Sequence, residues 1–303
     1  MLHWIRESGW TDDSLSLFDK TELRLMGAYL LRNKLSLAGG AVVAGYLALV
    51  LVVLITGELL LPYDPYALNL SGALLPPSLS HLFGTDSLGR DIFSRVIAGA
   101  PIEAQIAFAV VSVSLALGGS IGAFAGYLGG IAEDVMMRVT DVFLAFPALV
   151  LAMAVAIAIG PGLTNSMMAL LVVWWPSYAR IARGEALAVK NSQYIEAAHA
   201  AGLREVQVVV RHILPNILMP LLVYVTLDIS NVILTGSVLS FIGLGAQPPQ
   251  PEWGRMVFDG QDYLSGAWWL SVLPAFAIFV VVLAFSLFGD GLRDAFDPKL
   301  RRR

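Results

Sequence analysis

LSLAGGAVVAGYLALVLVVLITGELLL, residues Leu35–Leu61, holds one charged residue, Glu58, and holds it near the far end. A helix needs about 20 mostly apolar residues to cross a hydrocarbon core of about 30 Å. In lipid the run must be helical, because the solvent there offers backbone N–H and C=O groups no partner. Working outward from this stretch, five further apolar runs follow, at about Glu103–Leu128, Val142–Ile159, Ser166–Ala182, Asn216–Ile242 and Ala267–Phe288. The fourth contains Pro176, with Trp174 and Trp175 in mid-run. The sequence therefore predicts an all-α transmembrane fold, a six-helix polytopic bundle with both termini on one side.

Composition agrees. Of 303 residues, 57% are hydrophobic and 14% charged, and the mean hydropathy is +0.73. Soluble domains are about 45–50% apolar and about 25% charged. A net charge of -4 supplies no basic field, which argues against nucleic acid as a partner. The absence of cysteine excludes disulfides and thiolate metal sites. Met1–Lys34 carries charges of both signs without the apolar core and cleavage site of a secretory signal, so it is expected to be a retained cytoplasmic segment.

Lys and Arg set the orientation. With the N-terminus inside, sixteen of the 19 fall in inner segments, and only Arg90, Arg95 and Arg255 fall outside. Such a bias predicts cytoplasmic N- and C-termini in a multi-pass protein of the cell (inner or plasma) membrane. Three stretches lie between spans: an outer segment, Pro62–Ala100, ending in GTDSLGRDIFSR; an inner loop, Arg183–Pro215; and an outer loop, Gly243–Gly266, whose QPPQPEWG is too proline-rich for a helix.

The inner loop carries most information. From Tyr194 to Asn216 it reads YIEAAHAAGLREVQVVVRHILPN. Asn191 or Ser192 can cap a short helix with Ile195 and Ala198 on one face. Gly202 permits a sharp change of direction and a close approach by another backbone. A second helix, about Arg204–Ile213, is expected to place Val206, Val209, Val210 and Ile213 on one stripe, with Pro215 in the first turn of span five.

Span two bears glycines at four-residue spacing, Gly118, Gly122, Gly126 and Gly130, preceded by Ser114. On one helix face they let two backbones approach closely, so a tight interface is expected, within the chain or with a partner. Asp228 lies inside span five, where an acid is either a hydrogen-bond partner for a neighbouring helix or a residue of a translocation path. Trp174 and Trp175 are read as packing residues rather than cavity lining. His3, His81, His199 and His212 show no metal-ligand spacing, and no metal or cofactor is expected. The chain has neither a GxxxxGK[ST] phosphate loop nor an HExxH zinc motif. The Gly and Asp residues of GTDSLGRD suit a cap over the outer mouth.

The inner loop resembles the signature loop of ABC importer permeases: Glu-Ala-Ala, three residues, Gly, nine residues, then Ile-x-Leu-Pro. Glu196, Ala197, Ala198, Gly202, Leu214 and Pro215 match, and His212 stands at the Ile position. Phe83–Arg95, MRVTDVFLAFP (Met137–Pro147), LSFIGLGAQPPQPEWG (Leu239–Gly254) and LFGDGLRDAFDPKL (Leu287–Leu300) are similar to segments of the second permease subunit of dipeptide, oligopeptide and nickel transporters. Where an Arg is common after the first of these, this chain has Pro101-Ile102-Glu103. The resemblance implies a coupling loop at 190–215 inserted into an ATP-binding subunit, within a permease core at 101–291. That core would be flanked by a cytoplasmic segment (1–34), a first span with its outer loop (35–100) and a basic tail (292–303). It also implies a second homologous permease subunit, two ABC ATPase subunits and an extracellular or periplasmic substrate-binding protein. The protein is then expected to be no enzyme itself. Short peptides are the expected substrate, with oligosaccharide, nickel and glutathione as alternatives. A secondary transporter is the competing class; it would show broken or charged sites in paired positions, and it leaves the inner loop unexplained.

Overall fold

The computed structural model describes residues 33–296. The expectations for 1–32 and for the basic residues of 297–303 lie outside the described residues. Within them the chain is helical, with no strand and one isolated bridge, Thr85–Asp91.

Helix α1, Lys34–Thr56, begins where the Asn33 side chain accepts from the N–H groups of Leu35 and Ser36. Ser36, Gly39, Val43, Tyr46 and Val50 recur every three or four residues and form its one buried stripe. Leu47, Leu51, Leu54 and Ile55 stay exposed, as lipid allows.

Helix α2, Ile92–Leu128, starts eleven residues before the expected span because Asp91 caps it, accepting from Ser94 N–H at 2.7 Å. Its 37 residues make it about 55 Å long, longer than a bilayer core is thick.

Span three is a correction. Val142–Ile159 is not one helix: α3, Gly130–Leu144, and α4, Ala148–Ile159, meet at 86°. Pro147 is the cause, since it has no N–H to donate and disfavours helical geometry at Phe146. Alone, the 12 residues of α4 extend about 18 Å, too short to cross.

Helix α5, Leu163–Val189, runs through Pro176 into the inner loop. It is long enough to cross, but Arg180, Arg183 and Glu185 charge its inner half. Four helical stretches are both long and apolar enough for a span, Lys34–Thr56, Ile92–Leu128, Glu205–Phe241 and Trp269–Phe296; the bent α3–α4 pair makes a fifth.

The inner loop contributes α6, Gln193–Ala200, and α7, Glu205–Val208. The expected second helix departs from prediction. Its second half, Val209–Ile213, is a π turn that runs without interruption into α8, Leu214–Phe241. Pro215 cannot donate to the Arg211 carbonyl, and the wider turn accommodates that missing bond. The π turn also rotates the face: Val208, Val209 and Ile213 are buried, whereas Val206 and Val210 are exposed.

In the outer loop, α9, Trp253–Gly260, forms directly after the prolines, capped by Glu252 through the N–H groups of Gly254 and Arg255. Helix α10, Trp269–Phe296, packs on α1, α8 and α9.

The most extensive contact joins α2 to α5. A Cβ on Gly118 would collide with the Trp175 carbonyl oxygen, one on Gly122 with that of Ala179, and one on Gly126 would sit 2.6 Å from that of Arg183. Both partners advance in steps of four in the same direction, so the helices run parallel with backbones touching. Gly130 stands outside this series. It lies beyond the end of α2 with φ at +59°, and a Cβ there would meet nothing within 4 Å.

Candidate functional site

Helix α6 hangs between the inner ends of α5 and α7. Ser192 occupies its N-cap position, though the hydroxyl donates back to the Val189 carbonyl instead of capping. Ile195 and Ala198 turn inward and are buried; Glu196, Ala197, Ala200 and Ala201 are exposed. Tyr127, at the inner end of α2, hydrogen-bonds and stacks on His199, with 2.9 Å between Oη and Nε2. The helix stops in a Schellman motif: Gly202 N–H donates to the His199 carbonyl and Leu203 N–H to that of Ala198. Gly202 has φ at +79°, which explains glycine here. Within this chain a Cβ on Gly202 would meet nothing within 4 Å.

The six residues of the expected coupling loop therefore divide. Glu196, Ala197 and Gly202 face solvent, and Ala198 anchors α6 from beneath. Leu214 and Pro215 begin α8 and line an apolar cavity against Leu115, Gly119 and Leu221. The inner end of α5 is braced to α3, Arg183 pairing with Glu133 and Arg180 with Asp141 at 2.7 Å. Lys190 reaches the Gly126 carbonyl at 3.3 Å. The charge pairing between α3 and α5 had no signal in the sequence.

Asp228 is buried where α8 meets α5. Its Oδ2 accepts from Trp174 Nε1 at 2.7 Å and from the Tyr178 hydroxyl at 2.9 Å. Trp175 does not join it, packing instead edge-on to Phe143. Of the two roles left open for Asp228, the geometry supplies the hydrogen-bonding one.

On the opposite side, GTDSLGRD is a built turn. Asp86 accepts from the N–H groups of Leu88 and Arg90 and pairs with Arg90 Nε at 2.6 Å. Asp91 holds His81 Nδ1 at 2.8 Å, and Trp269 Nε1 donates to the Thr85 carbonyl. A cavity of about 350 Å³ lies beside it, lined among others by Arg90, Arg95 and Asp259. The proline loop seats on α2 at Gly99, where a Cβ would strike the Pro251 carbonyl.

Comparison with known proteins fits this geometry. Residues 118–302 match the family described as "Binding-protein-dependent transport system inner membrane component". The chain belongs to that family. This permease is 44% identical over 253 residues to the Escherichia coli protein named "Probable D,D-dipeptide transport system permease protein DdpC", covering 84% of this chain and 85% of that one. It is 38% identical over 270 residues to the dipeptide transport system permease protein DppC of Alkalihalophilus pseudofirmus, covering 89% and 88%. It is 41% identical over 263 residues to the glutathione transport system permease protein GsiD of Pectobacterium atrosepticum, covering 86% and 87%. The permease is thus a multi-pass membrane protein of a transport system rather than an enzyme, and its exposed α6 lies inside the matched region.

Proposed function

We propose that this chain is one of two membrane subunits of an ATP-driven importer of short peptides, with α6 as the element that docks on an ATPase subunit. The observation carrying the proposal is α6 itself: a short helix presenting Glu196, Ala197 and the left-handed Gly202 to solvent, tied to both neighbouring spans. A docking helix needs small side chains outward and a rigid attachment inward. Ile195, Ala198 and the Tyr127–His199 contact supply the attachment. Displacement of α6 would pass directly into α5 at its N-terminal side and, through the π turn, into α8.

In this reading six spans cross the membrane, with α3–α4 as a bent third, α5 as the fourth and both termini cytoplasmic. A homologous permease, two ABC ATPases and an outer substrate-binding protein complete the assembly. Peptide as substrate follows the names of the dipeptide-transport relatives. Glutathione, itself a small peptide, is the second reading, favoured by the 41% identity to a glutathione permease.

The test is Gly202→Asp, with copurification of the ATPase subunits, substrate-stimulated ATP hydrolysis and dipeptide uptake measured together. Loss of ATPase binding or of coupling, in a protein that still inserts, is the expected result. If all three stay unchanged, α6 is not the coupling element, and the contact with the ATPase lies elsewhere on the permease.

A further inference from the structure

Two carboxyl groups meet beside the start of α9, and among the described residues no Lys or Arg side chain is bonded to either. Glu103, on α2, is fully buried, and so is Glu252, the cap of α9. Their carboxyl groups converge on consecutive backbone N–H groups at the start of α9 and lie within hydrogen-bonding reach of each other. Glu103 Oε1 also accepts from Trp253 N–H at 3.0 Å, while its Oε2 finds no protein donor. Glu252 accepts from the N–H groups of Gly254 at 3.1 Å and Arg255 at 2.7 Å, and from the Ser240 hydroxyl on α8.

The surroundings offer no neutralising charge. From α1 comes Tyr46, whose hydroxyl is committed to the Ala100 carbonyl. From α8 comes only Ser240, and α10 contributes Phe285, edge-on to Tyr46. The nearby guanidinium groups are engaged elsewhere, Arg255 with Asp259 and Arg95 with the Pro65 carbonyl. Two carboxylates cannot both stay ionised in hydrogen-bonding contact at a buried site, because desolvation and mutual repulsion act together. A hydrogen bond between two carboxyls moreover requires one of them to be the donor.

We propose that Glu103 and Glu252 form a proton-binding site, in which one proton on Glu103 Oε2 is donated to Glu252 and fastens the start of α9 to α2. The proton answers the one unpartnered oxygen in the pair. It leaves Glu252 ionised, as its two backbone donors and its position at a helix N-terminus favour. The outer loop, whose Pro251 and Trp253 seat on Gly99, is thereby held on α2 by a bond that exists only while the proton is present.

The sign for stability follows from the shared proton, which the folded pair binds and which two separated carboxyl groups of the unfolded chain release. Its contribution to stability is full below the unfolded carboxyl value of about 4.3 and is lost as pH rises through the point at which the folded pair gives the proton up.

The test uses the full-length protein in lipid nanodiscs. Infrared spectra at neutral pH should show a protonated-carboxyl C=O band that is missing from Glu103→Gln and retained in Asp228→Asn. The unfolding midpoint of the parent should fall as pH is raised, whereas that of Glu103→Gln should stay level. Glu103→Ser, which removes the acid without adding bulk, replaces the Gln variant should that one fail to fold. Identical carboxyl bands in the parent and the Glu103 variant would overturn the proposal. So would a band that sodium ions abolish at constant pH, since the site would then hold a metal cation. Neither readout depends on transport, so failure here leaves the proposed function standing.

Discussion

The Tyr178 hydroxyl donates to Asp228 Oδ2 across the contact between α5 and α8, at 2.9 Å and out of reach of solvent. Trp174 Nε1 donates to the same oxygen at 2.7 Å. One acceptor thus serves two donors from adjacent turns of α5 and locks the rotation of α8 against it. The lock joins the two helices that flank the α6–α7 segment in the chain.

Asp228→Asn should therefore be tolerated, because an amide oxygen can accept both bonds. Asp228→Ala orphans a buried phenol and a buried indole N–H, at about 1–3 kcal/mol each in a soluble core, and less within a membrane, where cycles average about 0.6 kcal/mol. Thermal unfolding in detergent should place Asn near the parent and Ala several degrees lower. If Asn is as damaging as Ala, the negative charge itself matters and Asp228 belongs to the translocation path.

The α2–α5 contact discriminates between neighbouring glycines. Gly122→Leu, and even Gly122→Ala, should sharply reduce the folded fraction, since the first added carbon already collides with the Ala179 carbonyl; overpacking of this kind costs about 1–3 kcal/mol or more. Gly119→Ala, one residue on another face, meets only ordinary contacts at 3.7 and 3.8 Å and should be neutral. Yield of monodisperse protein on size exclusion checks both. Equal behaviour of the two alanine variants would mean that the backbones are not in contact.

At Gly202 two explanations separate. The residue has a left-handed φ but open space around it in this chain. Asn visits that conformation far more readily than a β-branched residue. If the turn alone matters, Gly202→Asn should keep ATPase binding and Gly202→Val should lose it. If a partner backbone packs on this position, both should lose it, by tenfold or more in affinity measured by titration of the ATPase subunit.

The topology can be read with single cysteines, because the parent has none. Ser80→Cys and Gln250→Cys, both at exposed outer positions, should react with an impermeant maleimide on intact cells. Gln193→Cys, exposed at the start of α6, should react only after permeabilisation. Labelling at Gln193 from outside would invert the orientation.

Much of the architecture was legible because lipid imposes a simple rule. Long apolar runs must become helices, and Leu35–Leu61, Asn216–Ile242 and Ala267–Phe288 did so, the first ending early at Thr56 and the last running on to Phe296. The glycine spacing on α2 and the Glu196–Gly202 interval are likewise local, set by the period of a helix and the φ of one residue. What the sequence could not announce were features decided by a partner element distant in the chain. The seat on Gly99 is filled by Pro251 and Trp253, far along the chain. Gly130 follows the spacing of the ladder yet leaves it, because the helix ends first. The π turn leaves Val208 buried and Val206 exposed, and the side chains of Asp141, Glu133 and Glu103 find partners 39 to 150 residues away. By itself the sequence determined which segments leave water and become helical, since burial in lipid depends on each segment's own composition. Only the tertiary structure decided which faces touch and which buried acids meet, since desolvation and hydrogen bonding depend on what packs opposite.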